Sequence, residues 1–191
     1  EPLGGNPPAG NASNVPRARM VQKDKRFIPH VLAIRTGAIE DFPNHDPSFH
    51  NAFSRFSGQI FDVGLYPPGS ARAVAFRRSG IVRVFCNIHP TMSAVIVVLD
   101  TPWFAVSAPS GAYAIRDLPP GEYRLRVFHE RATSKTLDAV VRRITLARQD
   151  VTLAPISISE TGYVETPHKN KYGQDYSPAA GDRVLYRGGH H

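Results

Sequence analysis

The stretch VFCNIHPTM, residues 84–92, holds the only cysteine of the chain, a histidine three residues on and one of its two methionines three beyond that. A thiol, an imidazole and a thioether on one short loop form a soft donor set. Such a set suits copper. Two imidazoles and a thiolate in a trigonal plane, with a long axial thioether, are the mark of electron-transfer copper sites. That chemistry needs a second histidine from elsewhere, and the stretch FPNHDPSFHNAFS, residues 42–54, offers His45 and His50. Each residue alone has a plainer reading. A lone cysteine is more often an inert buried thiol, a lone methionine core filler, and a lone histidine an ordinary surface or core imidazole. The case rests on their joint occurrence.

The elements around the loop decide whether the donors can meet. In IVRVFC, residues 81–86, a period of two puts Val82, Val84 and Cys86 on one face and Ile81, Arg83 and Phe85 on the other. Arg83 marks the second face as the outer one, so Cys86 is expected to point inward at the end of its strand. His89-Pro90 supplies a tight turn that brings the loop back over it.

The rest of the chain is a series of short apolar runs cut by turn residues, the signature of an all-β sandwich or barrel. Strands are expected at 19–24, 30–35, 38–42, 50–55, 71–77, 81–86 and 94–99. A second group is expected at 103–108, 112–117, 122–129, 139–146 and 150–155. No apolar period of 3.6 persists for three turns, and the best helical stretch is a turn or two near 132–138. Pro-Pro-Gly followed by an alternating strand occurs at 67–69 and again at 119–121. Two copies do not make a repeat, and a type II turn explains each. Pro102 cannot continue a central ladder and suggests a boundary near 100–102. The organisation expected is an irregular lead (1–16), a first β domain (17–100), a smaller β module (101–155) and an extended or disordered arm (156–191).

Composition sets the remaining bounds. The chain has 191 residues, 41% apolar and 20% charged, which is globular rather than disordered. No run approaches the roughly 18 apolar residues of a membrane span. One cysteine excludes an internal disulfide. The net charge of +7 comes from scattered basic residues, without stacking aromatics or a recognition-helix pattern. That composition reads as a solvated basic face, or as steering toward an acidic protein partner, rather than nucleic-acid binding. The sequence begins at Glu1 rather than Met, from which a processed or truncated mature form is expected, with export left open. The final His190-His191 is read as an affinity-tag remnant.

From about Arg17 to Leu99 the chain resembles the cupredoxins, the blue copper proteins such as plastocyanin, pseudoazurin and amicyanin. The resemblance rests on His50-Asn51 entering a strand, and on Cys86-x-x-His89-x-x-Met92 after one. The loop spacing resembles that of amicyanin. Upstream, FIPH, a strand, Thr36-Gly37 and AIEDF follow the family order. It implies a Greek-key β-sandwich with His50, Cys86, His89 and Met92 holding one copper that shuttles between Cu(I) and Cu(II). Asn51 would tie the two ligand loops together beside the thiolate, and Pro90 would shape the loop. His45 and His30 are the competing imidazoles. Residues 101–130 resemble a carboxypeptidase regulatory-like β-sandwich through SGAY, LPPGEYRL and the strand end VFHE, residues 127–130. That family is non-catalytic, and His129 and Glu130 face opposite ways in a strand.

Such a site leaves little room for substrate, so an extracytoplasmic electron carrier is expected rather than an enzyme. A binuclear centre would need a second cysteine, and an oxidase-type assembly further histidine clusters. The resemblance implies docking of a redox partner near His89, with Ile88, Pro90, Pro67, Pro68 and Phe49 around it. The alternatives are a copper carrier or resistance protein, and a non-catalytic interaction subunit. Only two methionines are present, which disfavours the copper-handling alternative.

Overall fold

The computed structural model describes residues 1–3, 16–55, 58–164 and 167–176, and the chain divides into two compact units. One takes in the described residues of Glu1–Ala12 and Asp100–Thr166, the other those of Ser13–Leu99 and Pro167–His191. The structure is nearly all β.

The larger unit carries the candidate site. Its strands are β1 (Arg17–Arg19), β2 (Val21–Lys23), β3 (Arg26–Ile28), β4 (Val31–Arg35), β5 (Ile39–Pro43), β6 (Phe53–Ser54), β7 (Phe61–Asp62), β8 (Ala71–Ala75), β9 (Gly80–Phe85) and β10 (Ser93–Leu99). One sheet runs β1-β5-β8, the other β4-β10-β9-β6-β7, and β2-β3 is a hairpin. The pairs β1–β5 and β4–β10 are parallel; the rest are antiparallel. Side chains from both sheets fill one core that includes Ile34, Phe42, Phe76, Val82, Val84, Ile96 and Val98. This is sandwich packing, in which alternate residues of each strand face the opposite sheet.

Alternation foretells most of these strands. Val82, Val84 and Cys86 are fully buried, while Ile81 and Arg83 are half-buried on the other face. Phe85 departs from the outer-face expectation: it is 8% exposed because Phe53 and His168 pack on it, at 5.9 and 4.3 Å between ring centroids. Two strands have no sequence signal. β7 is two residues long, and β3 hides in the basic run QKDKRF. The β2–β3 turn uses Asp24 and Lys25, both with positive φ (53° and 55°), where a hairpin would ordinarily show Asn-Gly or Asp-Gly. Gly58 is required: a Cβ there would lie 2.7 Å from Val82 Cγ2 and 2.8 Å from the Ile81 carbonyl oxygen.

In the smaller unit the expected strands are only partly realised. β11 (Gly121–Leu125) pairs antiparallel with β12 (Arg142–Leu146), and α1 spans Ser134–Ala139. Thr133 caps α1 by accepting a bond from the Thr136 amide at 3.2 Å. No strand forms at 103–108, 112–117 or 150–155, although these segments alternate. Alternation gives a strand only where a ladder partner exists. Here the Gly111 amide bonds the Ala108 carbonyl in a turn, and the Trp103 indole bonds the Asp117 carbonyl. The two Pro-Pro-Gly copies also differ. At 67–70 the Ser70 amide reaches the Pro67 carbonyl and Gly69 has φ 73°, as a type II turn requires, whereas Gly121 is nearly extended at φ 157°.

Among the buried polar residues described, one carries a carboxyl group without a partner. Glu40, inward on β5 with Phe42, is fully buried, and neither carboxylate oxygen finds a partner among the described residues. Desolvation, with the charge of Asp41, pushes its pKa up to about 8 from an ordinary 4.5. The folded state therefore binds this proton more tightly than the unfolded state. Stability from Glu40 is intact below about pH 4.5 and is lost as pH rises through about 8, by at most about 1.4 kcal/mol per pH unit. Urea melts across pH 5–8 should show a shallower decline in Glu40→Gln than in the parent; parallel declines would mean that Glu40 does not hold the proton.

Candidate metal centre

Register brings the two donor-bearing segments together. In the antiparallel β6–β9 pair Phe53 lies opposite Phe85, so the residues just before β6 run back over those just after β9. His50 is fixed on its other side by a two-bond bridge to Tyr66, with N···O distances of 3.1 and 2.9 Å. The loop after β9 closes on itself: the Cys86 amide bonds the Met92 carbonyl at 3.0 Å, and the Met92 amide bonds the His89 carbonyl at 3.1 Å.

The result is a buried group of three donors, His50, Cys86 and His89. Cys86 Sγ lies 3.8 Å from His50 Nδ1 and 3.7 Å from His89 Nδ1. The two imidazole centroids are 4.8 Å apart. Cys86 and His50 are fully buried and His89 is 7% exposed. Met92, 1% exposed, belongs to the same core cluster as Cys86.

These distances test whether a metal fits. Bonds of about 2.0–2.1 Å to imidazole and about 2.3 Å to thiolate, spread at 120°, would set nitrogen and sulfur about 3.8 Å apart. The observed separations match that spacing. The chemistry of the set, one thiolate and two imidazoles with a thioether nearby, selects a soft transition metal. Burial raises the pKa of Cys86, and the backbone N–H groups of Ile88, Asn51 and His89, all turned toward the sulfur, lower it part of the way. Those amides would stabilise a thiolate.

The neighbours of the donors are polar and anchored. His50 Nε2 donates to Asp46 Oδ2 at 2.7 Å. Asp46 also accepts from the backbone amides of Asp24 (2.6 Å) and Lys25 (2.9 Å), so the strained β2–β3 turn serves as its cradle. Desolvation works to raise the Asp46 pKa, but the Lys25 amide, His50 and the Asp24 amide hold it below its ordinary value. A carboxylate on Nε2 fixes the tautomer that turns the Nδ1 lone pair toward Cys86. Asn51 differs from expectation. Its side-chain amide donates to Asp62 Oδ1 (2.7 Å) and the Gly64 carbonyl (3.0 Å), and it is its backbone N–H that faces the thiol.

A segment far along the chain also reaches this loop. The Tyr176 hydroxyl donates to the Cys86 carbonyl at 2.6 Å, and the Lys171 amide donates to Asn87 Oδ1 at 2.8 Å. His168 stacks on Phe85 with centroids 4.3 Å apart, and the Pro90 carbonyl faces its ring. Pro90 itself is exposed. His89 is thus less exposed than the resemblance implies. The competing imidazoles stay outside the group: His45 is exposed, and His30 Nδ1 lies 3.0 Å from the Ser93 carbonyl oxygen. The pair His129-Glu130 joins no candidate metal group among the described residues. His190 and His191 lie outside the described residues.

Neither a family model nor a curated protein matches the sequence. Among solved structures the chain is similar to a purple cupredoxin from Nitrosopumilus maritimus, at 20% identity and a TM-score of 0.39 over 43% of this chain and 99% of that one. It is similar to an amicyanin from Paracoccus versutus, at 20% identity and a TM-score of 0.40 over 46% of this chain and 83% of that one. A copper-containing nitrite reductase from Thermus scotoductus matches at 24% identity and a TM-score of 0.42 over 49% of this chain, which spans a quarter (25%) of the reductase.

Loss of the Asp46 side chain should be felt in the stability of the protein without added metal. Asp46→Ala leaves His50 Nε2 buried without its carboxylate and should cost about 2 kcal/mol, the worth of a hydrogen bond to a charged group. A chemical-denaturation midpoint unchanged from the parent would show that the bond contributes nothing.

Proposed function

We propose that this chain is a cupredoxin-type protein with one type 1 copper, an extracytoplasmic carrier of single electrons by outer-sphere transfer between redox partners. The observation that carries the reading is the buried thiol set 3.7 and 3.8 Å from two imidazole nitrogens, on a loop that closes with Met92. His50, Cys86 and His89 would hold the metal, with Met92 as the axial donor. Copper bound there would supply one-electron chemistry between Cu(I) and Cu(II).

The residues of the chain determine what that chemistry can be. Burial of all three donors shields them from bulk water, which favours electron exchange over catalysis. The Asp46–His50 bond and the Cys86–Met92 and Met92–His89 bonds hold donors from two segments in place before any metal arrives. Donors fixed in advance need little rearrangement when charge changes, which suits rapid electron transfer. His89 is the donor nearest solvent, at 7% exposure, and is the expected point of electron exit. The net charge of +7 would steer an acidic partner at low ionic strength.

The test is the visible spectrum of the Cu(II)-loaded protein beside Cys86→Ser. The parent should show an intense thiolate-to-copper charge-transfer band, bleached reversibly by a mild reductant, with the variant showing none. Weak d–d absorption alone, or no stoichiometric copper in the parent, would mean that Cys86 is not a ligand and that the carrier reading is wrong.

A further inference from the structure

The segment 167–176 lies about eighty residues downstream of the loop it touches, and its contacts are distributed in a particular way. Phe85, Cys86 and Asn87 are consecutive, and each is held by a different residue of the segment. His168 stacks on the Phe85 ring, Tyr176 bonds the Cys86 carbonyl, and the Lys171 amide bonds Asn87 Oδ1. The second donor segment is held as well. Lys171 Nζ bonds Asp62 Oδ2 at 2.9 Å, and the other oxygen of that carboxylate accepts from Asn51, the residue after His50. Desolvation works to raise the Asp62 pKa, yet Lys171, the Gly64 amide and Asn51 hold it below its ordinary value.

The segment is also shaped for this role by its own bonds. Lys169 Nζ reaches Asp175 Oδ1 at 2.6 Å, the Asn170 amide bonds the Gln174 carbonyl at 2.9 Å, and Asn170 Oδ1 accepts from the Tyr172 and Gln174 amides. This closed turn brings its two ends together, so that His168 Nδ1 and the Tyr176 hydroxyl are 3.2 Å apart. Both ends then face the cysteine loop from one side.

We infer that residues 167–176 form a clamp that joins the two donor-bearing segments and is coupled in free energy to metal binding between them. The inference rests on the copper reading above. Tyr176 and Lys171 are positioning residues: Tyr176 bonds the Cys86 carbonyl, and Lys171 bonds the Asn87 side chain and the Asp62 carboxylate that holds Asn51, none of them a donor atom. Clamp formation brings the two segments to one spacing, so the closed clamp favours the bound metal. By linkage, the bound metal must favour the closed clamp by the same factor.

Reciprocity gives a test on the full chain without any substitution. Amide hydrogen exchange at Lys171, whose N–H donates to Asn87, should slow on copper loading. Equal exchange in the metal-free and loaded protein would overturn the clamp. The companion test replaces Tyr176 with Phe and Lys171 with Met in the full chain. Copper release to a chelator should accelerate by about tenfold, the lower end of what residues supporting metal ligands contribute, with Lys171→Arg restoring much of the loss. A double variant that keeps the blue band and releases copper at the parent rate would overturn the clamp while leaving the carrier reading intact. A parent protein with no blue band would overturn both.

Discussion

Three donor atoms from two separate stretches of chain must meet inside a dry β-sandwich, and most of the local structure serves that convergence. An imidazole or thiol in a core is costly unless its polar atoms are satisfied. Here Cys86 Sγ is ringed by two imidazole nitrogens and three backbone amides, and His50 is bonded to a carboxylate on its far side. The β6–β9 register, the His50–Tyr66 bridge and the closed loop from Cys86 to Met92 are the backbone means by which those atoms arrive at one point. Shift the register by one residue and His50 would turn to the opposite face.

Two carboxylates carry the support outward from this point. Asp46 links His50 to the strained β2–β3 turn, where Asp24 and Lys25 take up left-handed backbone so that their amides point at one acceptor. Asp62 links Asn51 to Lys171. Each converts a local feature, a turn or an arm, into a constraint on the donors. Positive φ at two non-glycine residues is energetically unfavourable, and the amide–carboxylate bonds are what the structure shows in return.

Much of this was legible in the sequence, and the missing parts have a common cause. Val82, Val84 and Cys86 on one face follow from a period of two, the donor types of Cys86, His89 and Met92 point to copper by their chemistry, and their spacing is legible through the resemblance. The preference for His50 over His45 rests on the resemblance, through the Asn51 that follows it and the strand it enters; the structure buries His50 and exposes His45. Asp46 had a signal that went unused, a carboxylate four residues before a candidate donor. Tyr176 and Lys171 had none: they lie in a polar stretch without periodicity, more than eighty residues from what they touch. The strands expected at 103–108, 112–117 and 150–155 failed for a related reason. Alternation reports which face a residue would take, while a ladder depends on a partner elsewhere in the chain.

The central claim is that one metal sits among His50, Cys86 and His89 with the thiolate bonded to it. X-ray absorption fine structure at the copper edge of the loaded full-length chain tests this most directly. The account predicts one short sulfur neighbour, no longer than about 2.3 Å, and two imidazole nitrogens at about 2.0–2.1 Å. A copper shell of nitrogen and oxygen only, with no short sulfur neighbour, would contradict it.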